Sequence, residues 1–471
     1  MQALFTTPEI LAATPGNLVQ RGAAAAFCGV STDSRTCQAG QLFIPLQGEH
    51  HDGHEYIPGA LRRGVRGVLV QKGLLGSAAV GAGFKPAPTT PPEVTLIAVD
   101  DTLTALGDLA RAWRDRFAIP VVGITGSCGK TTTKEMTAAV LSRRFQVLKN
   151  TLNLNNLIGL PATILGLDHG HGAAVVEMGM NRFGEIRRLT QICRPTVGML
   201  INVHPAHTEG VGDVAGVALA KGELLEALEG SAVLVYNADD ARIAALARDF
   251  PGRALGFGLK PGADLRAWGR RLRGWDGQVA RLHYGGRSWT LNLEVAGLHQ
   301  LYNALAATAA GLVLGLAPEE TAKALAGFRA IHRRSQVQTL PSGVHLLNDC
   351  YNANPGSMAM ALNTLQELRR GARGAAALGD MLELGNGAAQ AHRDLGRVAA
   401  ATGLDFLVIY GNFNQEVAAG AQEGGLAPAR ILPVNTRAEG ARVLQDFLQP
   451  GDWLLVKGSR SMHMEGLIDL L

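Results

Sequence analysis

Short apolar runs that stop abruptly at Gly, Asp or Glu set the rhythm of this chain. GVLV (67–70) and TLIAV (95–99) come first, then VVGIT (121–125), AAVVE (173–177), TVGMLINV (196–203) and AVLVY (232–236). VHLLND (344–349), AAALGD (375–380), DFLVIYG (405–411) and DWLLVKG (452–458) carry the pattern on towards the carboxyl end. Val-rich runs of this length, bounded by turn residues, predict buried strands, and the longer stretches between them predict helices covering both faces of a sheet. The alternation predicts an α/β protein with mostly parallel sheets. DDTLTALGDLARAWRDRF (100–117) has apolar residues at helical spacing and predicts a helix linking the first region to the second. GSAAVGAGFKPAPTTPPE (76–93) predicts a mobile surface loop. In LRAWGRRLRGWDGQVARLHYGGRSWTLNLEV (265–295), alternation and GG turns predict a solvated β-hairpin face, favoured over nucleic-acid contact. With 471 residues and a prior of roughly 150 per domain, three domains are expected, at 1–101, 102–331 and 332–471.

Composition narrows the class. Hydrophobic residues make up 47% and charged ones 18%, enough for sizeable cores, and the net charge of +4 is too mild to argue for a nucleic-acid surface. Five scattered cysteines without a CxxC pair suggest free thiols rather than a disulfide framework or a zinc site. The start, MQALFTTPEILAATPG, lacks the features of a signal peptide, and no apolar run is long enough for a membrane span, so a cytoplasmic protein is expected, and it is read as a monomer.

The candidate chemistry begins at GITGSCGKTTTKE (123–135), where a predicted strand turns tightly into a predicted helix. Unpaired N–H groups at a helix start bind anions. Lys130 is placed to reach the β and γ phosphates, and the Thr131 hydroxyl to meet Mg²⁺. The spacing departs from the usual GxxxxGK[ST] loop, because Ile124 stands where a glycine is required; the motif present is GxxGKTT, Gly126 to Thr132.

That shortened loop resembles the signature of the Mur ligase family, and the resemblance runs through most of the chain. STDSRTCQAGQLFIPLQGEHHDGHEYIPGA (31–60) is similar to the family's uridine-nucleotide-binding domain. NLNNLIGLPATIL (153–165), EMGMNRFGEI (177–186), AHTEGVGDVAGVALAKGELL (206–225) and GLHQLYNALAA (297–307) are similar to its central ATPase domain. NDCYNANPGSM (348–358), LGDMLELG (378–385) and KGSRSMHME (457–465) resemble its carboxy-terminal domain, in the wording of the branch that adds D-alanyl-D-alanine. The resemblance implies three α/β domains: a small one binding the uridine nucleotide, a central P-loop-type ATPase and a Rossmann-like third one binding nucleotide and incoming D-Ala-D-Ala. It also implies an acyl-phosphate mechanism that uses ATP, UDP-N-acetylmuramoyl-tripeptide and D-Ala-D-Ala.

Site roles follow from the same resemblance. Thr125, Gly126, Ser127, Cys128, Gly129, Lys130, Thr131 and Thr132 would hold ATP phosphates, with Asn303, Asp349 and Asn352 around the nucleoside. Tyr351 and Asn354 belong to the same loop. Arg334 would reach the γ-phosphate side, with Arg333 as the alternative. Glu177 and His207 would bind two magnesium ions with Thr131 and Lys221, the last as a CO₂-derived carbamate. Lys130, Glu177, His207, Lys221 and Arg334 form the implied catalytic set. Ser34, Arg35, Asn155 and Asn156 would contact the UDP substrate, while Lys457 and Arg460 would either hold substrate carboxylates or cap a helix start. His204 reads as structural or solvated, and His50, His51 and His54 read as a loop rather than a metal site. Competing readings are acyl-phosphate chemistry on another substrate, as in folylpolyglutamate synthesis, a hydrolysis-driven motor, and a nucleotide-binding module without catalysis.

Overall fold

A computed structural model describes residues 5–48, 51–74, 92–151 and 153–471. His50, Leu152 and most of the 76–93 insert lie outside these. Three large sheets organise the described residues, beside a two-stranded pair formed by Phe5–Thr6 and Ala26–Phe27. In the first, the strands run Asn17–Gln20, Thr95–Val99, Gly67–Gln71, Leu42–Phe43, Val30–Ser31 across the sheet, parallel except for Asn17–Gln20. The helix Thr102–Arg114 joins it to the second, and Leu106, Leu109 and Trp113 share one buried core with residues of both, such as Ile97 and Val121.

Nine strands make the second sheet. Its first strand in chain order, Val121–Thr125, lies between Ala173–Glu177 and Val197–Leu200, third from the edge formed by Val147–Lys149. From that strand the chain goes first to one side and later to the other. Its carboxyl end is therefore a switch point, where open α/β sheets hold ligands. The hairpin expected in 265–295 is present within a larger element. Leu265–Leu272, Gln278–Tyr284 and Arg287–Leu293 form a three-stranded antiparallel meander, and the first of them pairs in parallel with Ala254–Gly258. Leu265, Ala267, Ala280, Leu282, Leu291 and Leu293 are buried, so one face of the meander extends the core while the alternate residues face outward.

The third sheet runs Gln336–Thr339, His345–Asn348, Trp453–Lys457, Gly374–Gly379, Phe406–Tyr410, Ile431–Val434, parallel apart from the first strand. This unit rests on the meander. Arg270 donates twice to Glu367, Nη1 to Oε1 and Nη2 to Oε2, both at 2.7 Å. The Trp275 ring lies 4.4 Å from that of His345.

A two-pronged arginine–carboxylate pair is directional, and here it spans two units. Arg270→Glu is expected to cost about 2 kcal/mol, lower the melting temperature and enlarge the radius of gyration in X-ray scattering. Adding Glu367→Arg should restore both. Scattering that does not change in the single variant would show that the pair does not hold the units together.

Candidate active site

The phosphate-loop candidate sits at the switch point. Gly126 follows the buried strand Val121–Thr125, and a Cβ there would lie 2.3 Å from Ile201 Cγ1. Gly129, at φ +79°, ends the turn, and the helix Lys130–Leu141 begins. A Cβ on Gly129 would come within 2.6 Å of Asn303 Oδ1, so this glycine is required both for its backbone and for its space. Asn202 bolts the turn down: its Oδ1 accepts from the Cys128 N–H at 2.8 Å and its Nδ2 donates to the Cys128 carbonyl at 2.9 Å. The Ser127 hydroxyl donates to the His204 carbonyl at 2.8 Å. Lys130 Nζ folds back onto the Gly126 carbonyl at 2.7 Å. Burial draws this lysine below its ordinary value, against the pull of Glu177.

Beside the turn, Glu177 ends the strand Ala173–Glu177 and is buried. Its Oε1 accepts from Asn155 Nδ2 at 2.6 Å, while Oε2 is buried without a hydrogen-bond partner. A buried carboxylate oxygen left this way is costly unless something else meets it. Asn150 holds the residue's backbone on both sides. Lys221 lies buried on the helix Val214–Ala227; burial first, then Lys130, holds its amine well below the ordinary lysine range. His207 stands in left-handed backbone at φ +55°, with Nδ1 2.6 Å from Glu383 Oε2 of the third unit. The closely placed His207 ring holds the Glu383 carboxyl below its usual range.

The third unit supplies the opposite wall of a cleft of about 940 Å³. Asn354 crosses to the turn, its Oδ1 accepting from the Cys128 thiol at 3.1 Å. Burial pushes that thiol up. Lys457 is buried and donates to Asp349 Oδ2 at 2.5 Å and to the Asn352 carbonyl at 2.8 Å. The Arg334 guanidinium carbon lies 3.8 Å above the centre of the Tyr351 ring. His299, pushed down to about 4 by burial, joins Ser335 at 3.2 Å. On the central side, Tyr302 donates to Asp239 Oδ2 at 2.7 Å, and both line the cleft. Cations and backbone donors gathered opposite unpartnered carboxylate oxygen make a site suited to a phosphate chain and its counter-ion.

Comparison with known proteins accounts for the arrangement. Residues 17–114 match the Mur ligase family catalytic domain, 124–311 the Mur ligase middle domain and 332–460 the Mur ligase glutamate ligase domain. A UDP-N-acetylmuramoyl-tripeptide–D-alanyl-D-alanine ligase of Bacillus subtilis is 34% identical over 93% of this chain and 92% of its own. The chain belongs to the Mur ligase family. A crystal structure of MurF from Acinetobacter baumannii superposes with a TM-score of 0.89 at 30% identity, covering 100% of this chain and 99% of that one. MurF ligase from Thermotoga maritima, solved in complex with ADP, gives 0.81 at 27% identity over 94% of this chain and 96% of its own. A folylpolyglutamate synthase of Mycobacterium tuberculosis shares the fold at 16% identity and a TM-score of 0.63 over 78% of this chain.

Within this Mur ligase, the cleft brings together Ser127, Cys128, Gly129, Lys130, Thr131, Thr132, Asn155, Asn156, Glu177, His207, Asn303, Arg334, Asp349 and Asn352. Thr125, Gly126 and Lys221 lie behind its surface. Ser34 and Arg35 are elsewhere, on the first sheet's side, where Arg35 Nη2 pairs with Asp33 Oδ2 at 2.8 Å. Arg333 turns from the cleft to Glu465 at 2.8 Å, leaving Arg334 as the one that faces it. His54 is used by the fold, its Nδ1 on Asp52 at 2.6 Å and its Nε2 accepting from the Gln71 N–H at 3.3 Å. Among the described residues, no group of three or more His, Cys, Asp and Glu is arranged to hold a metal ion. Nor is any helix there long and apolar enough to cross a membrane. Sequence reading passed over Asn202, Asp239, His299, Tyr302 and Glu383. Only Asn202 carried a signal, as the polar residue just past an apolar strand.

Proposed function

We propose that this chain is an ATP-dependent amide ligase. It joins D-alanyl-D-alanine to the terminal carboxylate of UDP-N-acetylmuramoyl-tripeptide, giving the pentapeptide, ADP and phosphate. The observation that carries the reading is the shared cleft: Lys130 and its turn face the Asp349–Asn354 loop in a chain related end to end to ligases of that name.

The donor set fits magnesium. Glu177 Oε2 is buried and unpartnered, the Thr131 hydroxyl lines the same cleft, and hard oxygen donors suit Mg²⁺, which normally completes its shell from substrate phosphates and water. Thr131, Glu177, His207 and Lys221 as its carbamate would hold it, and bound there it would neutralise charge on the transferring phosphoryl group. The depressed Lys221 amine favours the neutral form that combines with CO₂.

The chain's own groups do the rest. The turn's N–H groups receive the phosphates, and Lys130 exchanges the Gly126 carbonyl for a phosphate oxygen. Arg334 approaches the γ-phosphate from its Tyr351 shelf. Asn303, Asp349 and Asn352 surround the nucleoside, Asn155 and Asn156 the muramoyl portion, and Ser34 and Arg35 the uridine end. A carboxylate oxygen of the tripeptide attacks the γ-phosphorus and ADP leaves. The D-Ala-D-Ala amine then attacks the acyl carbon, and the tetrahedral intermediate expels phosphate as the amide forms. The third unit, resting on the turn through Asn354, keeps out the water that would hydrolyse the acyl phosphate.

Phosphate release from ATP is expected only with both substrates present, with a product of pentapeptide mass, and Lys130→Ala should lower kcat at least ~100-fold. Turnover indifferent to D-Ala-D-Ala would overturn the reading. With ¹³C-bicarbonate, a carbamate carbon signal should appear in the parent and be missing from Lys221→Arg. The same signal in both would remove Lys221 from the role.

A further inference from the structure

Arg334 is flanked by two residues in a conformation that L side chains rarely adopt. Arg333 has φ +59° and Ser335 φ +50°, both left-handed, and neither is a glycine. Such backbone persists only where its surroundings over-determine it, and it gathers at functional positions. Both residues are anchored here. Arg333 Nη1 donates to Glu465 Oε1 at 2.8 Å, its N–H to Gln336 Oε1 at 3.3 Å, and its carbonyl accepts from the Tyr351 N–H at 3.2 Å. The Ser335 N–H donates to Asp349 Oδ1 at 2.7 Å, and its hydroxyl sits between that oxygen at 3.3 Å and His299 Nε2 at 3.2 Å.

Between these anchors, and among the described residues, Arg334 has its backbone N–H donating to the Ile331 carbonyl at 2.9 Å and the face of Tyr351 beneath its guanidinium. A plain polar crossing from the second unit to the third needs no left-handed residues. Two of them, one on each side of a cleft-facing arginine, serve to turn that side chain inward. Glu465 lies outside the cleft lining, so its bond to Arg333 acts on the site from behind.

We propose that Arg333 and Ser335 are positioning residues, whose left-handed backbone, clamped by Glu465 and Asp349, aims Arg334 at the phosphate chain of a bound nucleotide. This rests on the nucleotide part of the ligase reading. Arg333 contributes by anchoring the turn and does not itself touch the ligand. Ser335 contributes mainly by its backbone.

The test is a mutant cycle on the full chain, read as affinity for a non-hydrolysable ATP analogue with Mg²⁺ by calorimetry, with melting temperatures recorded alongside. Arg333→Gln and Ser335→Val should each weaken binding about tenfold, valine because a β-branched residue resists left-handed backbone. Ser335→Gly should lose several-fold less than Ser335→Val, because glycine takes that backbone freely. In an Arg334→Ala background, Arg333→Gln and Ser335→Val should cost nothing further, since residues that act through one group are not additive. Equal losses with and without Arg334, or no loss in either single variant, would overturn the proposal. If Ser335→Val does not fold, the Arg333→Gln cycle decides alone. A parent chain that binds no analogue would overturn the nucleotide reading itself, and this inference with it.

Discussion

Two anions have to be pressed together in the reaction proposed here, a carboxylate against a phosphate chain. At 4 Å two like unit charges repel by about 4 kcal/mol at an effective dielectric of ~20. The cleft is organised around that repulsion. Lys130 lies where burial holds it below its ordinary value, a condition that an arriving anion relieves. The start of the helix Lys130–Leu141 adds partial positive charge at the same place, and Arg334 adds a full one from the other wall. A site that collects cations at some cost to itself is built to be completed by its substrate.

Denser and sparser contacts divide along the seam between the second and third units. The turn is fixed from within the second unit by Asn202 and His204, so its donors are set before any ligand arrives. Across the seam near the turn the polar contacts include Asn354 on Cys128 and on the Ser127 carbonyl at 3.5 Å, Glu383 on His207, and the hydroxyl of Thr208 on the Leu384 carbonyl at 3.0 Å. Contacts of that kind break and reform easily, which suits a unit that must admit substrates and then exclude water. The Arg270–Glu367 pair, farther out on the meander, is the sturdier hold.

How much of this was legible in the sequence depended on how local each feature is. VVGIT and AAVVE became the strands Val121–Thr125 and Ala173–Glu177 because fully buried strands read as unbroken apolar runs. Strand, turn and helix around Lys130 are adjacent in the chain, so their pattern survives in one dimension. The strands Val30–Ser31 and Leu42–Phe43 were not legible, since two residues carry no period. The meander was read as a hairpin because alternation reports which face is buried and says nothing of a parallel partner. Cys128 and Asn354 lie 226 residues apart, and no spacing rule reaches that far. Family resemblance named Ser34 and Arg35, and it did not foretell that they would stand away from the main cleft.

The central claim is that phosphate makes the bond by activating a carboxylate. The most direct measurement supplies UDP-N-acetylmuramoyl-tripeptide with both oxygens of its terminal carboxylate labelled with ¹⁸O, together with ATP and D-Ala-D-Ala. Mass spectrometry of the released phosphate should then find one ¹⁸O per molecule, with the other retained in the new amide. Phosphate free of ¹⁸O while pentapeptide accumulates would contradict the account.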